Sequence, residues 1–493
     1  MARKKKSRAV RFNSKRRPWT PANCYADQFL ELQQWLLPEE GIFANLKRHG
    51  NTSWLSSQLV WLALCWSWSE CSCVTDAFIQ AGEWCQVIIG KTPLATYQGF
   101  MYALVRWTDS LLPGLWSVLH LRMQEVAGKS WSVGGWVPIA FDGSRSTAPR
   151  TQSNEQALCA PNYGNGQTAK YRKKKSKGMR RKKNEKNKPQ PQEPQAWITL
   201  LWHMSLRLPW MWKLGPSNAS ERAHVMQMLG EGEFPENTLF CGDAGFVGYP
   251  LWTLIAGQGL SFLVRVGANV TLLAERMDCV IQRQGSLVLC WPVLAQKSKL
   301  PPLCLRLVRV RIGQQSMWML TNVLQPSRLT PEQIVKFYKM RWGIEIEFRG
   351  LKQTLDRTKL RCRNSQRLLA ELNWSLLAMA IAELFALKEQ TGTTSSKPNT
   401  QISQNPKKRS LASTIRAIRY CLLHLRHISE PGADLRSRLR LAITDSYVRR
   451  SSKRARYRPP NPDKKPLGDP KIRRLTANEK KKLNRLTPIK SAA

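Results

Sequence analysis

Residues Thr330 to Asp356, TPEQIVKFYKMRWGIEIEFRGLKQTLD, constrain this chain more than any other stretch. Thr330 offers a hydroxyl N-cap, Pro331 suits a first helical turn, and Gln333 stands at capping-box spacing, so a helix is predicted to start here. At about 100° per residue, Tyr338, Arg341, Glu345 and Lys352 fall within a sector of roughly 60°. Glu347 is rotated from Glu345 by about 200° and points to the opposite side. A phenol, a guanidinium, a carboxylate and an ammonium on one face suit a surface that holds a metal ion and grips phosphates beside it. A solvated face with ordinary i,i+4 charge pairs is the alternative.

Charge narrows the choice of partner. Lys and Arg number 78 against 33 Asp and Glu, a net charge of +45 over 493 residues, which points to a polyanion, most simply nucleic acid. Twenty Trp residues and a 42% hydrophobic share favour a packed core over a ribosome-like basic chain. The 12 Cys are scattered, and Cys71 and Cys73 lack a second pair at zinc-ligand spacing, so reduced thiols and a cytoplasmic, nucleoid-associated protein are expected. The apolar stretches Trp54–Trp66 and Leu372–Leu387 are shorter than a bilayer span, and no membrane association is expected.

In chain order, residues 1–21 read as a basic disordered arm and 22–130 as helices, either a plain bundle or one holding a helix-turn-helix near Lys91–Trp107. At Trp136 the pattern changes. WVPIAFDGS is a short apolar strand closing on Asp142, and TLFCGDAGF is another that ends on Asp243. Between them lie a basic, proline-bearing loop over 168–195, a predicted hairpin, and a helix capped by Ser220. Three strands, helix, strand, helix, strand and a later long helix is the ribonuclease-H-like order. Residues 268–323 alternate apolar and polar residues and read as a β-rich insertion before the last helix. The catalytic domain is thus expected over 131–388, with a linker, one helix and a basic disordered tail over 389–493.

The spacing Tyr338, two residues, Arg341, three residues, Glu345, six residues, Lys352 resembles the signature of the insertion-sequence-four family of DDE transposases. Trp342, Ile344, Phe348 and Leu351 are similar to that family's filler residues. The resemblance implies an α/β fold with a ribonuclease-H-like core, a β-rich insertion and an all-α N-terminal domain that binds DNA ends. It also implies that Glu345 is a third catalytic carboxylate beside Asp142 and Asp243, although 101 and 102 residues separate successive acids.

Three converging carboxylates suit hard cations, so Asp142, Asp243 and Glu345 are expected to hold Mg²⁺, or Mn²⁺ as a substitute, in two-ion form. Tyr338, Arg341, Trp342 and Lys352 are expected to contact DNA. The expected activity is metal-dependent cleavage at transposon ends with inverted repeats, followed by transfer of the 3′-hydroxyl into target DNA by a homodimer. An inactive, transposase-derived DNA-binding protein and a ribonuclease-H-like structure-selective nuclease are the alternatives. The intact acids favour activity over the first, and the Tyr-Arg-Lys clamp favours a transposase over the second.

Overall fold

The computed structural model describes residues 24–37, 40–43, 52, 54–159, 193–274, 285–313, 315–391, 409–430, 432–444 and 467–486. The expected basic arm and nearly all of the basic loop lie outside these residues. Four helices come first: α1 (Tyr25–Leu36), α2 (Ser56–Trp68), α3 (Val74–Ile89) and α4 (Tyr97–Ala127). There follow β1 (Val137–Thr147), α5 (Gln152–Leu158), β2 (Gln195–His203), β3 (Leu208–Gly215), α6 (Glu221–Glu231), β4 (Thr238–Gly242), α7 (Tyr249–Gly257) and β5 (Ser261–Val266). Next come β6 (Thr271–Ala274), β7 (Ser286–Cys290), α8 (Val293–Lys297), β8 (Leu303–Ile312) and β9 (Gln315–Thr321). The remainder holds α9 (Pro331–Arg341), α10 (Gly343–Arg349), a π-helical turn (Gly350–Thr354), α11 (Ser365–Thr391), α12 (Leu411–Leu423), α13 (Leu435–Arg440), β10 (Lys471–Arg474) and α14 (Ala477–Leu486).

All ten strands join one mixed sheet in the order β10-β6-β7-β8-β9-β5-β4-β1-β2-β3. Strands β1, β2 and β3 pair antiparallel, whereas β4 runs parallel to β1 and β5 parallel to β4. The segment expected as a β-rich insertion supplies β6 to β9, which extend this sheet past β5 through the antiparallel β5–β9 pair.

Strand β1 does not end at Asp142, as the apolar run alone predicts. It continues to Thr147 because β2 pairs with it along that whole length. What stops near Asp142 is the pairing with β4, whose last register pair is Ala140 with Cys241. Beyond that pair the sheet opens on one side of β1, so buried apolar residues give way to polar ones.

Helix α11 is the centre of the core. It is the described helix long and apolar enough to cross a membrane, yet 94% of its most apolar window is buried inside the fold. Each large apolar side chain so buried contributes roughly 1.5–3 kcal/mol. Tryptophans fasten its neighbours to it: Trp68 of α2 donates to the Ala378 carbonyl (3.0 Å), and Trp212 of β3 to Asn373 Oδ1 (2.9 Å). Trp374 of α11 in turn donates to Thr108 Oγ1 of α4 (2.8 Å). The amino-terminal helices thus share one hydrophobic core with the sheet.

Residues 467–486 also differ from expectation. Their basic composition predicts a disordered tail, but β10 pairs in parallel with β6. Glu479 accepts from Arg473 and from the backbone of Thr476, and Trp318 Nε1 donates to Asp469 (2.7 Å). Edge pairing uses backbone groups, so a strand can form here with little hydrophobic signal.

Candidate active site

Register decides where the two aspartates stand. Ala140 pairs with Cys241 across the parallel β1–β4 ladder, and Asp142 and Asp243 each follow two residues later, so both sit at the same level at the mouth of adjacent strands. Side chains alternate between faces. Asp142 therefore shares its face with Leu200 and Trp202, its β2 partner and that of Ala140, while Gly143 shares the other with Thr199. Thr199 Oγ1 and His224 Nδ1 of α6 are 2.9 Å apart, which places α6 on the Gly143 face.

Helix α10 covers the Asp142 face. A Cβ on Gly343 would collide with the Trp202 ring, so the missing side chain allows the helix to approach the sheet closely. The capping box of Thr330 and Gln333 forms as the sequence predicts. The continuous helix does not. It breaks between Arg341 and Gly343 and widens into the π turn that carries Lys352. Packing against the strand end overrides local helix propensity here, and Glu345 and Lys352 still line one groove of about 470 Å³ together with Asp142, Ser144, Arg349 and Thr358.

Arg341 bridges the acids. Its Nη1 lies 3.5 Å from Asp142 Oδ2 and its Nη2 lies 3.8 Å from Glu345 Oε1. The guanidinium is only 4% exposed and sits 5.5 Å from the Tyr338 ring centroid and 5.4 Å from that of Trp342. Tyr338 is buried, so its ring braces Arg341 from within, whereas Trp342 is 52% exposed and forms the outer side of the clamp. Glu345 is 47% exposed in its side chain and opens to the groove. Burial lowers the Lys352 ammonium below its ordinary pKa.

Burial is also the main cause raising the Asp142 carboxyl. The Gly143 N–H (2.9 Å) and Arg341 oppose that shift, while Asp243 and Glu345 add to it. Asp243 Oδ1 accepts from the Gly245 N–H (2.8 Å), which holds its carboxylate at the start of a short 3₁₀ turn. One acid was not marked by sequence. Glu221, the first residue of α6, is pushed up to about 7 by burial and then by Asp142 and Asp243. Its only local signal is its place beside the N-cap Ser220, after two strands.

Glu347 is turned away, as the helical rotation predicts, but into the core. Burial and then the neighbouring acid Glu383 raise its carboxyl well above the ordinary range. Arg409 Nε lies 3.6 Å from Glu383 on that side.

Among the described residues no group of three His, Cys, Asp or Glu side chains stands close enough to enclose one ion. The donor set nonetheless has the chemistry of a hard divalent cation site, because every donor is a carboxylate oxygen, while Arg341 supplies part of the positive charge between Asp142 and Glu345 that such a cation would otherwise supply.

Residues 137–381 match the family model described as Transposase DDE domain. A search of curated proteins finds no match. Among solved structures, the chain is similar to one described as the cryo-EM structure of piggyBac transposase synaptic complex with hairpin DNA. That likeness has 11% identity and a TM-score of 0.35, and covers 82% of this chain and 84% of the other.

Proposed function

We propose that this chain is a DNA transposase of the DDE class, built on a ribonuclease-H-like core. The observation that carries the reading is the meeting of Asp142 and Asp243 at one level of adjacent parallel strands with Glu345 on the helix across them. The 3-2-1-4-5 strand order around β1 supports the core assignment, and the Tyr338, Arg341, Glu345 and Lys352 spacing supports the insertion-sequence-four family.

In this reading Asp142, Asp243 and Glu345 would hold Mg²⁺, with Mn²⁺ as a substitute. Divalent ions held there would activate the attacking oxygen and stabilise the leaving one, first with water and then with the freed 3′-hydroxyl. Lys352 faces the same groove and would hold a phosphate there. Arg341, pinned between Asp142 and Glu345, keeps both carboxylates aimed into the groove and offers its charge to a bound phosphate. Trp342 supplies an exposed aromatic face at the rim. A net charge of +45 draws the chain to transposon ends and target DNA, and a homodimer would pair two ends. A cytoplasmic, nucleoid-associated location follows from that partner.

The test uses the full chain and DNA taken from either side of its coding region, labelled at one end. Nicks bearing 3′-hydroxyls and joined products that appear with Mg²⁺ and vanish with chelator are expected. Binding of the same DNA without any such product, in either metal, would sink the reading.

A further inference from the structure

We propose that Glu221 is a fourth carboxylate of the cation centre, seated over Gly143 and directed at Asp142 and Asp243 from the sheet face opposite Glu345. This deepens the metal-dependent reading of the acid face given above and rests on it.

Gly143 is the first observation. A Cβ there would collide with Glu221 Oε1 and lie 2.6 Å from its Cδ, so the carboxylate fills the room that the glycine leaves. Backbone conformation does not explain the glycine, because the positive-φ glycines do not include Gly143. What the missing side chain admits is Glu221.

Gly245 gives a second, independent bearing. A Cβ on it would lie 3.0 Å from Asp243 Oδ1 and 3.9 Å from Glu221 Oε2, so the two carboxylates converge over one small residue. Glu221 thus lies against both strand ends that deliver the aspartates.

A structural acid in this position would have a donor. Among the described residues no hydrogen bond or ion pair reaches the Glu221 side chain, although it is half-buried. Arg145 is the cation whose charge acts on Glu221, but its guanidinium lies 4.2 Å from the Trp197 ring centroid and forms no ion pair with the acid. The start of α6 favours negative charge at Glu221, but that effect needs no reach toward Gly143. Asp142, by comparison, has Arg341. An acid placed between two others, with no ion pair of its own, either stays protonated or meets a cation from solution, and the two flanking aspartates supply the further oxygens that such a cation takes.

The measurement is Mn²⁺ binding to the metal-free full chain without DNA, read from the electron paramagnetic resonance of free Mn²⁺. Glu221→Gln should weaken binding on the order of 10- to 100-fold. Gly143→Ala, which displaces Glu221 and keeps every acid, should weaken it comparably. Glu221→Ala with Gly143→Ala should bind no more weakly than Glu221→Ala alone, since the added methyl then has room. A further loss in the double variant would overturn the seat. Thermal unfolding of each variant identifies any that fails to fold, and Glu221→Asp, which retracts the carboxylate by one methylene, then replaces Glu221→Gln with the same expectation. Asp243→Asn separates the two readings. If it weakens Mn²⁺ binding while Glu221→Gln and Gly143→Ala bind as wild type, Glu221 lies outside the centre. If Asp243→Asn also binds as wild type, the cation reading of the whole acid face fails.

Discussion

Two places in this fold gather charge, and they treat it in opposite ways. Beneath the π turn, Glu371 of α11 is fully buried, and each of its oxygens is answered. Arg361 Nε donates at 2.8 Å, the Arg361 and Cys362 backbone N–H groups at 3.1 and 3.0 Å, and Arg357 Nε stands 3.8 Å away. Burial would raise its carboxyl, but Arg357, Arg361 and these hydrogen bonds win and lower it. At the mouth of β1 and β4 the balance is reversed. Asp142 and Glu221 are both raised, burial first, and neighbouring acids raise each further. A carboxylate that holds a fold together is neutralised from within. Under the proposed function, the surplus at the strand mouth is met by a cation from solution.

The sharpest way to break this contrast is to remove acids from the surplus face. Asp142→Asn, Asp243→Asn and Glu345→Gln should each reduce Mg²⁺-dependent cleavage of a labelled end duplex to background while DNA binding persists. Cleavage retained by any one of them would take that residue out of the site.

Glu371→Gln tests the other region, and its effect should fall on stability. It leaves Arg357 and Arg361 buried without their anion, at a cost of roughly 3–5 kcal/mol in denaturant unfolding. Because the Glu371 carboxyl is lowered from its ordinary 4.5, its stabilisation is complete above that pH and is lost as pH falls through the lowered value. The gap between wild type and Glu371→Gln should therefore stay level from neutral pH down to the ordinary range and close in stronger acid. A gap that widened in acid would contradict the internal pairing.

Lys352→Ala should act on DNA alone. Losing one phosphate contact lowers the slope of log affinity against log salt by about 0.9, and an unchanged slope would leave Lys352 as a surface charge.

Glu347→Gln should have the smallest effect. An amide matches the shape of the Glu347 carboxyl and carries no charge beside Glu383, so cleavage should stay near wild type and stability should change by no more than about 1 kcal/mol. Losses equal to those of Glu345→Gln would overturn the division of the helix into a groove side and a core side.

Local pattern determined a good deal by itself. The apolar runs before Asp142 and Asp243, the Thr330–Gln333 cap and the rotation between Glu345 and Glu347 are legible because strand alternation and helical pitch are properties of neighbouring residues. Net charge, likewise, needs no fold to be read. Tertiary structure alone decided the rest. It broke the long helix at Trp342, carried β1 past Asp142 along β2, and packed α2 and α4 on α11. It also paired β10 with β6, enclosed Glu371 between two arginines, and brought Glu221 onto Gly143 from 78 residues away. Each of these depends on which distant surfaces meet. Periodicity tells which side of an element is buried, but only the folded chain sets what lies against that side, and there one glutamate, Glu371, is paired with arginines while another, Glu221, is set among acids.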